Sequence, residues 1–143
     1  MSFLVHTTRT LPFLLESRNI MKTNEIRITI ASPQETVFEF TLEPKNTPLW
    51  VGSAGIETVD TQQIRLGTIY SNNSSQSEVT DYSRDKFIEL SNKKTGYTAS
   101  YSYRKIDAYI TELIFFENMK DGSNLVQPME QKSFEKLKEL LEK

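Results

Sequence analysis

The stretch EIRITIASPQETVFEF, Glu25 to Phe40, changes its hydrophobic period halfway along, and no other feature constrains the chain as strongly. Ile26, Ile28 and Ile30 alternate with Glu25, Arg27 and Thr29, which is the period of a strand with one apolar face and one wet face. The alternation then stops. Ser32 is placed to cap a helix, Pro33 suits a first turn where its missing N–H would be unpaired anyway, and Glu35 holds the reciprocal capping position. The pattern predicts a strand passing at once into a helix over about Pro33 to Leu42, stopped near Pro44, which cannot continue the hydrogen-bond ladder.

The residue inventory removes several kinds of function. With no cysteine in 143 residues, disulfides, thiolate metal sites and thiol nucleophiles are excluded. A single histidine, His6, can build neither an imidazole metal cluster nor a Ser-His-Asp triad, so no metal and no cofactor is expected. The 17 basic and 19 acidic residues leave a net charge of −2, without the basic excess that binding to a phosphate backbone draws on. Nucleic acid is therefore not an expected partner. At 37% hydrophobic and 25% charged, the chain suits one domain around one core.

The leader MSFLVHTTRTLPFLLESRNI lacks the basic start and long apolar run of a secretory signal, and LPFLLE is too short to span a bilayer. With Met21 just behind it, residues 1–22 read as an N-terminal extension, a mis-called start or a mobile segment, ahead of a single domain over residues 23–143. The competing reading has Phe13, Leu14 and Leu15 covering a groove on that domain. Without a usable signal or membrane span, the expected location is the cytoplasm.

TPLWVGSAG reads as a short second helix or turn, with Thr47 as cap, Pro48 in the first turn, and Gly52 and Gly55 closing it. The middle of the chain is rich in β-branched and aromatic residues and is punctuated by turn chemistry. Strands are expected near Ile56–Asp60, Ile64–Ser71, Ser77–Tyr82, Phe87–Asn92, Tyr97–Ile106 and Tyr109–Met119, with SNNSSQ and NKKTG as hairpin turns. YSRDK reads as a bulge or a bend within one long strand. At the end, Phe134, Leu137, Leu140 and Leu141 recur at helical spacing, and a helix starting at Pro128 would run about 22 Å across the sheet.

Taken in order from about Asn24 to Lys143, IASPQETVFEF, LEPKNTPLW, LGTIYS, SEVTDYSRDKFIEL, YTASYSYRKID and FEKLKELLE resemble the START-like or SRPBCC helix-grip superfamily, especially its small bacterial polyketide cyclase/dehydrase-like members. No single piece is specific; the ordered set carries the resemblance. It implies an α+β helix-grip fold: a curved antiparallel sheet of about seven strands wrapped on a C-terminal helix, with two short helices after the first strand and a cavity between helix and sheet. Two departures bear on that cavity. The last hairpin is a bare KIDAY where a Gly-Thr turn is common, and the final helix is short.

Strand parity selects the residues that would face such a cavity. Tyr97, Ala99, Tyr101 and Tyr103 share one face of YTASYSY, and Leu66, Thr68 and Tyr70 share one face of the preceding Gly-Thr strand. By the resemblance, Trp50 closes one end. Trp50, Tyr70, Tyr101, Tyr103 and Phe115 are thus the expected ligand-binding residues, because rings with polar tips can line an apolar pocket while a hydroxyl meets a ligand oxygen. The same rings would serve equally well as core filling. Parity does not settle Glu112: facing inward, its raised pKa would suit acid–base work; facing outward, it is ordinary surface, as are Asp81 and Glu89.

Three functions from different classes follow. The first is a module that encloses a hydrophobic or aromatic small molecule, such as a lipid, polyketide or isoprenoid, without transforming it. The second is a polyketide cyclase or dehydratase in which tyrosines orient the substrate and a carboxylate such as Glu112 moves the proton. The third is a protein-interaction module resembling the heat-shock-protein ATPase activators of the same fold. The absence of an obvious catalytic constellation favours the first, with an apolar small molecule as partner; a homodimer is compatible with the chain.

Overall fold

The computed structural model describes residues 21–52 and 54–143; the readings made on residues 1–20, His6 included, lie outside the described residues. β1 (Thr23–Ile30) leads into α1 (Gln34–Leu42), a 3₁₀ turn (Pro44–Asn46) and α2 (Thr47–Trp50). Six strands follow: β2 (Thr58–Val59), β3 (Ile69–Ser71), β4 (Gln76–Ser83), β5 (Phe87–Ser91), β6 (Tyr97–Asp107) and β7 (Ile110–Met119). The last element is α3 (Gln131–Leu141). The strands form one antiparallel sheet in the order β1-β7-β6-β5-β4-β3-β2, so β2 to β7 are a meander and β1 closes onto β7. Register shifts at Val79/Asp81 and Lys105/Asp107 curve the sheet. This is the α+β helix-grip arrangement expected from the sequence.

The alternation in β1 does what its period requires, burying Ile26 and Ile30, half-burying Ile28 and leaving Glu25, Arg27 and Thr29 exposed. The helix after it starts one residue later than expected and has no side-chain cap. Pro33 occupies the capping position, and its carbonyl accepts the N–H groups of Thr36 and Val37 at 3.0 Å each. Ser32 is buried instead, with its own carbonyl accepting the Thr111 hydroxyl at 2.8 Å. Thr47 is likewise inside α2 rather than capping it, and its hydroxyl donates to Glu57 at 2.7 Å.

Other boundaries move for local reasons. The strand expected over Ile64–Ser71 shrinks to Ile69–Ser71 because Gly67 turns with φ of +89° and gives its N–H to the Val79 carbonyl at 2.8 Å. Thr68 and Tyr70 still point inward, but Leu66, beyond the turn, is 63% exposed. YSRDK is a hairpin turn between β4 and β5, with Asp85 at φ of +65° and the Lys86 N–H on the Ser83 carbonyl; the bulge lies earlier in β4.

α3 begins at Gln131 and is therefore about 16 Å long, shorter than a helix from Pro128 would be. Phe134 and Leu137 are wholly buried and Leu140 and Leu141 partly so, as their spacing requires. Burying the first two stabilises the packing by about 2 kcal/mol each. The helix packs beside β1 and α2, where Lys138 donates to the Thr29 carbonyl at 2.7 Å and Glu142 accepts the Ala31 N–H at 2.8 Å. Among the described residues, no helix is long and apolar enough to cross a membrane.

Candidate binding cavity

Antiparallel register builds the floor of the site. In β6, Ala99 and Tyr101 stand opposite Leu90 and Ile88 of β5, while Tyr101 and Tyr103 stand opposite Phe115 and Leu113 of β7. Because side chains alternate, all of these share the inner face, with Tyr70 of β3 continuing it. The roof comes from Thr41 and Leu42 of α1 and Trp50 of α2. Between floor and roof is a cavity of about 160 Å³, with exposed Asn72 and Ser75 at its polar rim. A wider groove of about 580 Å³ runs between the end of α1 and the segment from Thr58 to Ile64, and the two spaces share Leu42 and Glu57.

Four of the five expected site residues, Trp50, Tyr70, Tyr101 and Tyr103, are brought to this one cavity. Phe115 is not. It lies on the expected face but stands behind the lining, with its ring 5.1 Å from Tyr101 and 5.1 Å from Phe134. The cause is α3: Phe134 fills the space between that helix and the sheet and packs edge-on against Trp50 at 5.3 Å. The cavity is thereby displaced from α3 toward α1 and α2.

The four tyrosines of the inner β6 and β3 faces spend their hydroxyls differently. Tyr70 donates to the Leu42 carbonyl at 2.7 Å, Tyr97 to Glu117 at 2.6 Å, and Tyr103 shares a hydrogen bond with the Thr41 hydroxyl. The Tyr101 hydroxyl has no partner among the described residues, and neither has the buried Trp50 Nε1. Burial holds all four phenols above the ordinary tyrosine range, so they are neutral donors at physiological pH. One donor from the wall and one from the roof are thus left for something else to accept.

Parity leaves the direction of Glu112 open, with ordinary surface as one of its two readings, and the structure takes that one. Glu112 lies on the outer face of β7, 2.8 Å from Arg104 and 3.9 Å from Arg27, and takes no part in the cavity. Two acids that sequence reasoning missed are inside. Glu57 lines the cavity, and burial raises its pKa, partly offset by the Thr47 hydroxyl. Glu117 is wholly buried and accepts Tyr97, Asn24 Nδ2 at 2.8 Å and the Met129 N–H at 2.7 Å, tying the segment before α3 to the sheet. Its signal was present: Glu117 continues the parity of Leu113 and Phe115. Glu57 had none, because its direction depends on the path of the loop after α2.

No family model matches the chain, and no curated protein matches it. Solved structures do. A conserved protein of unknown function from Enterococcus faecalis superposes with a TM-score of 0.65 at 14% identity, covering 94% of this chain and 84% of that one. The Aha1 dimer from Colwellia psychrerythraea gives 0.60 at 15% identity, covering 85% and 97%. An HSP90 activator from Plasmodium falciparum gives 0.58 at 18% identity, covering 72% and 76%. At these identities the likeness is one of fold, and the chain shares a helix-grip-like architecture with Aha1-like and uncharacterised proteins.

Proposed function

We propose that the protein binds a small apolar or aromatic molecule in the cavity beneath Trp50, without transforming it. The observation that carries this reading is the aromatic wall around about 160 Å³, whose members Tyr101 and Trp50 have a hydroxyl and an indole N–H without partners among the described residues. Trp50 Nε1 is a buried donor without an acceptor among the described residues, a state that costs about 1–3 kcal/mol, so a ligand oxygen on it would recover energy as well as bury apolar surface. Size narrows the ligand. An apolar cavity of about 150 Å³ takes one benzene ring, whereas sites for drug-sized molecules run to about 300–1,000 Å³. A lipid or polycyclic polyketide would have to extend past Leu42 and Glu57 into the neighbouring groove. Trp50, Tyr70, Tyr101 and Tyr103 are the proposed contacts, with Phe115 supporting Tyr101 from behind.

Trp50 is the only tryptophan, so its emission reports on this one place. Titration with single-ring aromatics, flavonoid-like aromatics, fatty acids and a hydrophobic dye should give a saturable change for the ring-sized compounds. Tyr101→Ala should weaken that binding by about 1 kcal/mol, roughly what an aromatic pair adds beyond its area. A panel that leaves the emission unchanged would overturn the proposal.

A second reading draws on the HSP90 activator and the Aha1 dimer among the fold neighbours. Leu49 and Ile56, exposed by 53% and 80%, would then be contact points for a chaperone or a second copy of the chain. Stimulation of an HSP90 ATPase and a doubled mass in solution are its tests. The enzymatic reading draws no support from Glu112, the carboxylate offered as its example, which pairs with Arg104 outside the cavity.

A further inference from the structure

We propose that the ligand of this cavity is a small organic amine, whose ammonium group pairs with the Glu57 carboxylate while its apolar body lies among Trp50, Tyr70 and Tyr101. The inference rests on the cavity being a binding site and adds the charge of what it takes.

Glu57 is the only acid among the residues lining the cavity, and none of the others is Lys, Arg or His. Its one hydrogen bond is from the Thr47 hydroxyl to Oε1 at 2.7 Å, and no cation of the protein pairs with it among the described residues. Several other carboxylates have a cation or more donors, whereas Glu89, whose carboxylate like that of Glu57 accepts only a threonine hydroxyl (Thr80, 2.7 Å), is not among the residues lining the cavity. Glu112 has Arg104 at 2.8 Å, Glu78 has Lys93 at 2.9 Å, Glu142 has Lys138 at 2.6 Å, and Glu117 accepts three donors. A half-buried carboxylate with one neutral donor has part of the desolvation of its charge uncompensated, and the wall of the cavity offers it no cation.

An ammonium ion is the natural complement to that arrangement. It would restore the missing charge at Glu57 and meet the electron-rich faces of the surrounding rings, a combination that recurs wherever proteins bind alkylated amines. An anionic ligand would find the opposite: no cation in the wall and a carboxylate facing it. A neutral ring would fit the volume but leave Glu57 as it is. The Tyr101 hydroxyl and the Trp50 N–H remain for a hydroxyl or carbonyl oxygen on the body of the ligand.

Benzylamine, benzyl alcohol and benzoate share one ring and one carbon and differ in charge, so they separate these cases. Followed by Trp50 emission at neutral pH, benzylamine should bind roughly tenfold more tightly than benzyl alcohol, the ratio expected of one charge-assisted hydrogen bond, and benzoate should bind weakest. Glu57→Gln keeps an acceptor for Thr47 and should bring the ratio of amine to alcohol close to one. Equal binding of amine and alcohol by the wild-type protein would overturn the charge assignment and leave the cavity reading standing. A preference that survives Glu57→Gln would overturn the role of Glu57. If none of the three binds, the cavity reading fails and this inference with it.

Discussion

Replacing Glu117 with alanine removes a side chain that joins three parts of the molecule: Asn24 in β1, Tyr97 at the start of β6, and the Met129 N–H just before α3. Glu117 is 0% exposed, so the groups it serves are shut off from bulk solvent. The Tyr97 hydroxyl and the Met129 N–H would lose their acceptor, whereas Asn24 would keep its second bond, to the Met129 carbonyl at 3.0 Å. At about 1–3 kcal/mol for each stranded buried donor, the loss should come to about 3–5 kcal/mol. Glu117→Gln separates hydrogen bonding from charge. Its amide oxygen can keep Met129 and Asn24, and its amide nitrogen can donate to the Tyr97 hydroxyl, which then acts as acceptor. The glutamine variant should therefore lose only about 1–2 kcal/mol, the charge-assisted part. Urea unfolding followed by Trp50 emission measures both. An alanine variant within about 1 kcal/mol of wild type, or a glutamine variant as unstable as the alanine one, would refute the reasoning.

The remaining expectations concern the core, the tyrosines and Glu57. Phe134→Ala removes a fully buried ring that touches Trp50 and Phe115 and should cost about 3–5 kcal/mol; an unchanged unfolding midpoint would contradict that packing. Tyr70→Phe strands the Leu42 carbonyl and should cost about 1–2 kcal/mol by urea unfolding, whereas Tyr101→Phe removes a hydroxyl without a partner and should cost nothing measurable. Burial raises the Glu57 pKa above its unfolded value, so the folded state holds the proton more tightly and loses stability as pH rises from the unfolded toward the folded pKa. Glu57→Gln should accordingly raise the thermal midpoint at neutral pH and give no gain below the ordinary carboxylate range. A gain that is independent of pH would sink that account.

How much of this was legible in the sequence depended on how local the cause was. The alternation of Ile26, Ile28 and Ile30, and of Ala99, Tyr101 and Tyr103, was readable because a strand fixes the facing of each side chain by counting, and the register confirms it. The stripe of Phe134 and Leu137 was readable for the same reason on a helix. The start of α3 was not, because the residues before it are held by Glu117 through the Met129 N–H, a contact with a distant strand. Phe115 was put on the correct face, but counting along the strand does not show that its ring packs against Tyr101 and Phe134 and stays out of the cavity lining. Glu57 was illegible altogether. Its inward direction follows from the loop beyond Trp50 and from Thr47, neither of which leaves a periodic trace.

The claim that a ligand occupies the space beneath Trp50 is tested most directly by the indole N–H resonance of nitrogen-15-labelled protein. There is one tryptophan and so one such signal, from a group that is buried and without a hydrogen-bond partner among the described residues. On titration with benzylamine and, separately, benzyl alcohol, the account expects the indole signal to shift saturably, together with the backbone amides of Tyr70 and Tyr101. Saturable binding that moves amides elsewhere while the indole signal stays in place would contradict it.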